Sequence, residues 1–190
     1  MGISKELNVI IMLCMITGGI VCIGVSIGSL KNFHEKDMQY IQTQLMEERM
    51  TQLKQLVANA YSVLETSNFY ENAQKTINDM RFGDHAQHRF FVLDLDGLFY
   101  VYPEKPEVVG KVKMDLVDAE GKHYIKEILS SAQKHGQGFI QYKENIEKSS
   151  NNLLKLVHFK LYKKWNWIVC AGIYIDDIER VIVQKQMDMT

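Results

Sequence analysis

The sequence predicts an α+β fold, in which a long N-terminal helix packs on one antiparallel sheet of five strands and one transmembrane helix precedes both. Three observations carry this prediction. The first is a run of 24 uncharged residues, Leu7 to Leu30, and the second is a helical segment with a continuous apolar stripe directly after it. The third is a change, after Gly83, from helical spacing of apolar residues to short apolar strands separated by turns.

The uncharged run is long enough to cross a bilayer as a helix. At about 1.5 Å per residue it would extend about 36 Å, and the hydrocarbon core of a bilayer is about 30 Å thick. A cleaved signal peptide is the alternative, but its apolar region would be shorter, and Ser26-Ile27-Gly28 is a poor cleavage signal. We therefore expect an uncleaved anchor in residues 1–30, with residues 31–190 on one side of one membrane.

Charge counting does not decide which side of the membrane that is. The positive-inside rule compares the basic residues that flank a span. Lys5 and the terminal amine precede the run, whereas Lys31, His34 and Lys36 follow it among acidic residues. The flanking charges therefore leave the orientation open.

The N-terminal part also carries two features that could pair copies of the chain. Gly24 and Gly28 form a GxxxG pair, which lets two membrane helices approach closely, although glycine is generally tolerated in such helices. The segment Asn32 to Ser67 lacks Gly and Pro and repeats apolar residues at spacings of four and three: Met46, Met50, Leu53, Val57, Ala60 and Leu64. A sheet, a second copy or both must cover this stripe, so a homodimer through the N-terminal helices is one expected assembly.

Five strands are predicted in the second half of the chain. Arg89–Asp94 and Leu98–Tyr102 flank Asp96-Gly97, a tight-turn signal, and therefore form a hairpin. Lys122–Lys134 is predicted to be a helix, and three strands follow at Phe139–Lys143, Leu153–Tyr162 and Trp165–Tyr174. Hairpin connections give an antiparallel sheet. The long helix should cover one face, and the Pro103–Lys134 loops and helix should close the other as a cage for a small ligand.

Composition and motifs exclude several classes of function. A formal net charge of −1 offers no basic field for nucleic acid. The sequence has no nucleophile elbow, phosphate-binding loop or dinucleotide fingerprint, so neither catalysis nor a cofactor is expected. Asp94-x-Asp96-Gly97 resembles the start of a calcium loop, but Lys105 stands where that loop needs an acid, and His85 with His88 lacks a third ligand. No metal site is therefore expected. Cys170, the only cysteine outside the uncharged run Leu7 to Leu30, should be a buried thiol.

An ordered series of motifs resembles the single Cache domain of bacterial chemoreceptors and sensor histidine kinases. The matching residues are Met80–Gly83, Arg89–Gly97, Tyr102-Pro103, Val109–Lys111, Asp115–Asp118, Gly121-Lys122, Gly136–Gly138 with Tyr142, and Trp165–Ile168 leading to Gly172–Asp177. The resemblance covers about residues 31–180 and leaves 181–190 as a helical tail. It implies a PAS-like sheet behind the long helix, on the periplasmic or extracellular side of the bacterial inner membrane. It also implies recognition of small ligands, often short organic acids.

The chain departs from the family pattern at three pocket-type positions. Arg89 stands where an aromatic residue is common, Tyr102-Pro103 where His-Pro is common, and His158 where Tyr is common. The family's ligand therefore cannot be transferred directly. Family receptors also continue into a second membrane helix and an output module, which this sequence does not reach by Thr190. We expect a sensor that acts through a separate signalling partner; the alternatives are a truncated receptor or kinase, or an interaction subunit that has lost its ligand.

A lysine on an apolar strand face is the main candidate for binding a small carboxylate. Lys155 alternates with Leu153, Val157 and other apolar residues, and an unpaired buried charge is costly. The alternative for Lys155 is a side chain that reaches out to water. The alternative for the tyrosines is ordinary core packing, and for Arg81 it is a surface ion pair with Asp79 or Asp84. His158 falls on the opposite alternation from Lys155. The predicted ligand-binding residues are Arg81, Arg89, Phe91, Tyr100, Tyr102, Tyr142, Lys155 and His158.

Overall fold

The computed structural model describes residues 3–83, 88–145 and 152–188, which contain four α-helices and six strands. The helices are α1 Ile3–Thr66, α2 Tyr70–Asp79, α3 Tyr124–His135 and α4 Asp176–Asp188. The strands are β1 Arg81–Phe82, β2 His88–Asp94, β3 Phe99–Val101, β4 Gln137–Asn145, β5 Asn152–Tyr162 and β6 Trp167–Tyr174. A short 3-10 helix, Pro106–Val108, follows β3.

The backbone divides into two units, Met1–Gln44 and Leu45–Thr190. The described residues of the first unit are helical throughout. Among the residues described, no helix is both long enough and apolar enough to span a membrane. Most side chains between Leu7 and Leu30, including the surroundings of Gly24 and Gly28, lie outside the description, so the anchor predicted for residues 1–30 is not confirmed.

The second unit contains an antiparallel sheet in the order β1-β2-β6-β5-β4, and β3 pairs with β2. The predicted hairpins are confirmed, but five strands was an undercount, because the described residues form six. The additional strand is β1, in which Arg81 pairs with Arg89 and Phe82 with His88. Two residues are too few to show a period-2 pattern, so the sequence offered no signal for β1.

The long helix covers one face of the sheet, as predicted. Leu53, Val57, Ala60 and Leu64 are fully buried and belong to one apolar cluster with the sheet residues Phe90, Val92, Leu156, Val169 and Ala171. Their spacing of three and four residues keeps them on one side of α1. Within residues 45–66, the stripe that we expected to need a sheet or a second copy is thus covered by the sheet.

The opposite face is closed by α3 and by the segments around it. Ile125, Ile128, Leu129 and Ala132 of α3 pack with the sheet residues Phe91, Leu93, Phe159 and Cys170. Helix α3 ends at Gly136, whose φ of 77° is left-handed and whose N–H is bonded to the carbonyl of Ala132. Cys170 is fully buried, as predicted. The sheet therefore separates a helix-side cluster from a loop-side cluster.

Candidate ligand-binding site

The candidate site is built around Lys155, which projects from β5 into the loop-side cluster. In the sheet register Lys155 lies opposite Tyr142 of β4 and opposite Tyr174 of β6. Directly opposite residues project to the same face, so the three side chains converge. The Lys155 side chain is only 3% exposed. Its ammonium group therefore does not reach out to water, which excludes that alternative interpretation.

Two carboxylates neutralise the buried ammonium group. Lys155 Nζ donates to Glu144 Oε2 at 2.8 Å and to Glu104 Oε2 at 3.0 Å. Lys105 Nζ lies 3.3 Å from Glu144 Oε1, and the Tyr174 hydroxyl donates to Glu144 Oε2 at 3.0 Å. A buried charge is tolerated when it is paired and hydrogen-bonded, so this network offsets the desolvation cost of the Lys155 ammonium group. The formal charges of the two lysines and two glutamates cancel.

The pKa values of this network follow from burial and pairing. Burial alone would lower the pKa of Lys155, but the charges of Glu104 and Glu144 outweigh it and the pKa is raised. Burial alone would raise the pKa of Glu144, but the charge and hydrogen bond of Lys155, together with the charge of Lys105, hold that pKa below its usual value. Lys155 and Glu144 are therefore both charged at neutral pH.

Two tyrosine hydroxyls beside the network, those of Tyr102 and Tyr142, make no hydrogen bond of good geometry within the described residues, although the Tyr102 side chain interacts with that of Tyr124. Tyr102 is 1% and Tyr142 is 2% exposed, and both hydroxyl oxygens are buried. Burial raises both pKa values well above the ordinary value, so both hydroxyls are neutral donors. A buried polar group left unsatisfied costs about 1–3 kcal/mol. Two such donors near a buried ammonium group favour a site for an acceptor-rich ligand.

Aromatic stacking fixes the positions of these hydroxyls. The Tyr102 ring stacks on Phe91 at a centroid distance of 5.1 Å and on Phe99 at 5.4 Å. The Tyr142 ring stacks on Tyr124 at 4.1 Å. These stacking contacts restrict both rings, so each hydroxyl is held in place without a hydrogen bond of its own.

A cleft of about 210 Å³ reaches the network from the loop side. Its lining residues are Lys105, Val117, Asp118, Ala119, Tyr124, Tyr142, Lys143 and Glu144. Asp118 accepts hydrogen bonds from the backbone N–H groups of Glu120, Lys122 and Lys143 at 2.8 to 2.9 Å, which ties this loop to β4. Within the described residues, no group of three or more His, Cys, Asp and Glu side chains is placed to hold a metal ion. The cleft thus opens beside three members of the site, Lys105, Tyr142 and Glu144.

The structure brings together only part of the predicted set. Phe91, Tyr102, Tyr142 and Lys155 belong to the loop side, and Arg89 precedes Phe91 by two residues on β2 and is half-buried. Arg81 is exposed in β1, shortly after α2, and its Nη1 donates to the carbonyls of Asn78 at 2.6 Å and Met80 at 2.9 Å. Asp84, one of its predicted partners, lies outside the described residues.

Tyr100, one of the predicted ligand-binding residues, lies on the helix side, although strand alternation alone would place it on the same face as Tyr102. The reason is a register shift in the hairpin: Val92 pairs with Val101, but Leu93 pairs with Phe99, which leaves Tyr100 as the extra residue of a bulge. Tyr100 packs with the helix-side cluster and donates to Asp94 Oδ2 at 3.1 Å. Sequence alternation alone does not reveal the bulge.

His158 also lies on the helix side, as its alternation predicted, because the pairing of β4 with β5 is unbroken. It is buried, and its ring packs on Phe139 at a centroid distance of 4.6 Å. Burial, with added repulsion from Lys54 and Lys160, lowers the pKa of His158 to about 4. His158 therefore does not join the Lys155 network.

Sequence reasoning missed four members of the network: Glu104, Lys105, Glu144 and Tyr174. Glu144 follows Tyr142 by two residues on β4 and so shares its face, which is a signal that alternation could have provided. Tyr174 continues the same face of β6 opposite Lys155. Glu104 lies 51 residues from Lys155 in a segment without regular structure, so no local pattern links the two.

Comparisons with known proteins agree with this architecture. The sensor histidine kinase MctS of Rhizobium johnstonii is 36% identical over 89 residues, which cover 47% of this chain and 19% of that protein. The methyl-accepting chemotaxis protein McpP of Pseudomonas putida is 23% identical over 118 residues, which cover 62% of this chain and 21% of that protein. The chain thus spans about a fifth of the length of the curated relatives it matches.

Solved structures show the same fold. A methyl-accepting chemotaxis protein from Vibrio parahaemolyticus aligns with a TM-score of 0.64 at 27% identity, over 75% of this chain and 99% of that chain. A Cache chemosensory domain, described for its carboxylic acid recognition, aligns with a TM-score of 0.62 at 19% identity, over 70% of this chain and 97% of that chain. A family model, dCache_2, described as a Cache domain, matches residues 66–179. Because that match covers more than half of the chain, the protein belongs to the Cache domain family.

Proposed function

We propose that this protein is a sensor that binds a small organic acid at the Lys155 site and passes the signal to a partner. The observation that carries the proposal is the buried ammonium group of Lys155 beside the two unsatisfied hydroxyls of Tyr102 and Tyr142. A carboxylate has about four lone-pair positions and can accept from all three groups at once. The similar Cache chemosensory domain described for its carboxylic acid recognition supports the same class of ligand. We propose no catalytic role.

We further propose that residues 1–30 anchor the chain in the bacterial inner membrane, with residues 31–180 as the sensor domain outside the cytoplasm and 181–190 as a helical tail. The uncharged run Leu7–Leu30 supports the anchor. The similarity to a sensor histidine kinase and a chemotaxis protein supports the location. Alkaline phosphatase fused after Thr190 should then be active. An inactive fusion, with an active cytoplasmic reporter at the same position, would refute this topology.

We propose a homodimer through the N-terminal helices, supported by the Gly24–Gly28 spacing. Single cysteines placed between Lys31 and Gln42 should then crosslink in membranes with a helical period. A uniformly unreactive series would argue against the dimer. The output partner is proposed to be a separate signalling protein; a receptor or kinase of which this chain is one part is the alternative.

A screen of the full 190-residue chain in detergent tests ligand binding. The unfolding temperature, followed by the fluorescence of Trp165 and Trp167, is measured with short organic acids, amino acids and amines in turn. A ligand at 100 times its Kd should stabilise the folded protein by about 2.7 kcal/mol, a shift of several degrees. We expect short organic acids to give the shift, and a preference for amines would refute the assignment to carboxylates.

A Cache-fold interaction subunit without a ligand is the second candidate function. One observation favours it: Lys155 already has two carboxylate partners, so its charge is balanced within the chain. Under this hypothesis no compound of the screen shifts the unfolding temperature. Replacing Tyr102 or Tyr142 by Phe would then change stability alone.

A further inference from the structure

The two carboxylates on Lys155 are held in very different ways. Glu144 lies within β4, its side chain is 8% exposed, and it also contacts Lys105 and Tyr174. Glu104 lies in the segment between β3 and the 3-10 helix Pro106–Val108, and its side chain is 29% exposed. Glu144 is therefore a fixed part of the sheet, whereas Glu104 can leave by rotation of one loop side chain.

The Glu104 carboxylate lies where a ligand carboxylate would have to bind. It accepts from Lys155 Nζ at 3.0 Å. Its charge also contributes to raising the pKa of Tyr142, whose hydroxyl is one of the two without a partner. An ammonium group has three donors, and the site presents one to each glutamate. A ligand carboxylate that took the place of Glu104 would keep Lys155 paired and would leave the total charge of the site unchanged.

We infer that Glu104 is an internal stand-in for the ligand, which binds by displacing the Glu104 carboxylate from Lys155. The inference rests on the proposed function and sharpens its ligand class. Because Glu144 stays in place, the exchange admits one carboxylate group, and a second negative charge on the ligand would approach Glu144. The site therefore selects small monocarboxylates. Release of Glu104 also frees a short segment that is bracketed by the two prolines of the chain, Pro103 and Pro106.

The test compares Glu104→Gln with Glu107→Gln. Both variants remove one negative charge from the same loop, but Glu107 is exposed in the 3-10 helix and its side chain is not among the partners of Lys155 in the described network. If the Glu104 carboxylate competes for the site, the apparent ligand affinity equals the intrinsic affinity multiplied by the fraction of molecules in which the site is free. Glu104→Gln should therefore bind propionate about 10-fold more tightly, as measured by calorimetry. A roughly 10-fold change is the lower end of the range expected for losing a charge-assisted hydrogen bond, because the Glu104 side chain is partly exposed. Glu107→Gln should match the wild type.

The outcomes separate the two proposals. If the wild type binds propionate and Glu104→Gln binds it equally or more weakly, the stand-in role is overturned and the proposed function survives. If neither binds any acid of the screen, both fall. Succinate tests the ligand class, since binding as tight as that of propionate would overturn the selection of monocarboxylates. The unfolding temperature checks that Glu104→Gln is folded, and Glu104→Ala, for which the same gain is expected, serves as a second variant.

Discussion

The two faces of the sheet bury apolar clusters of similar kind but differ in their polar groups. On the helix side, α1 and α2 contribute fully buried aliphatic residues, and His158 is buried as a group of lowered pKa. On the loop side, Lys155 and Glu144 are buried with Tyr102 and Tyr142, whose hydroxyls lack partners. The helix side also has one buried polar atom without a partner, Nδ1 of His158, but that side is otherwise apolar, whereas the loop side places two such hydroxyls beside a buried ion pair. A ligand on the loop side could offset the cost of both hydroxyls. Polar groups that are imperfectly satisfied are characteristic of functional sites.

The largest expected effect is that of Lys155→Met, which leaves Glu144 buried beside one fewer cation. Removing one partner of a buried pair typically costs about 3–5 kcal/mol, so the unfolding free energy in urea should fall by that amount. Adding Glu144→Gln should recover part of the loss, and Lys160→Met, on the same strand but half-buried, should cost below about 1 kcal/mol. A loss below about 1 kcal/mol for Lys155→Met would show that its ammonium group is not desolvated.

The next effect tests the helix side. Leu53→Ala removes a fully buried side chain from the stripe of α1 and should cost about 3 kcal/mol of unfolding free energy. The ligand affinity should not change, because the sheet lies between this side chain and the Lys155 network. Gln55→Ala, exposed on the same helix, should have almost no effect on stability. A large loss of ligand affinity in folded Leu53→Ala would contradict the assignment of ligand binding to the loop side alone.

A smaller effect concerns the unsatisfied hydroxyls. Tyr102→Phe removes one without changing the ring, so the free protein should keep its stability or gain up to about 1 kcal/mol. Affinity for the acid found in the screen should fall about 10-fold, equivalent to about 1.4 kcal/mol.

The matched control for this hydroxyl is Tyr100→Phe on the helix side. It loses the hydrogen bond to Asp94 and should lower stability by about 1 kcal/mol without changing affinity. If Tyr102→Phe instead loses stability and keeps full affinity, the hydroxyl has a structural partner and no ligand.

The smallest effect is the pH dependence contributed by His158. Its folded pKa of about 4 lies below the ordinary value of 6.5, so the unfolded chain binds the extra proton between these pH values. The contribution to stability is therefore fully present above pH 6.5 and is lost as the pH falls towards 4, by about 1 kcal/mol between pH 7 and 5.5. His158→Phe should remove this part of the slope, whereas His123→Gln, exposed before α3, should keep it. An unchanged slope in His158→Phe would show that this histidine has the same pKa in the folded and the unfolded chain.

Local periodicity was sufficient to predict most elements of the sheet and the helix. The stripe of α1, the hairpin turn at Asp96-Gly97 and the position of Lys155 on the face opposite to His158 all follow from spacings within one element. Such spacings are set by backbone geometry, which is the same in every helix and strand. The motif series also indicated the Cache family, which the family match confirmed.

Tertiary structure alone decided which polar groups meet. Glu104 and Lys155 are 51 residues apart, and Lys155 meets Glu144 because β4 and β5 pair in a register that places Leu153, two residues before Lys155, opposite Glu144. The bulge at Tyr100 places this predicted site residue on the helix side, away from Lys155. The sequence by itself therefore determined the covering helix, the main strands and the face on which Lys155 lies. The burial of that lysine and its partners depended on strand register and loop closure, which are set by long-range packing.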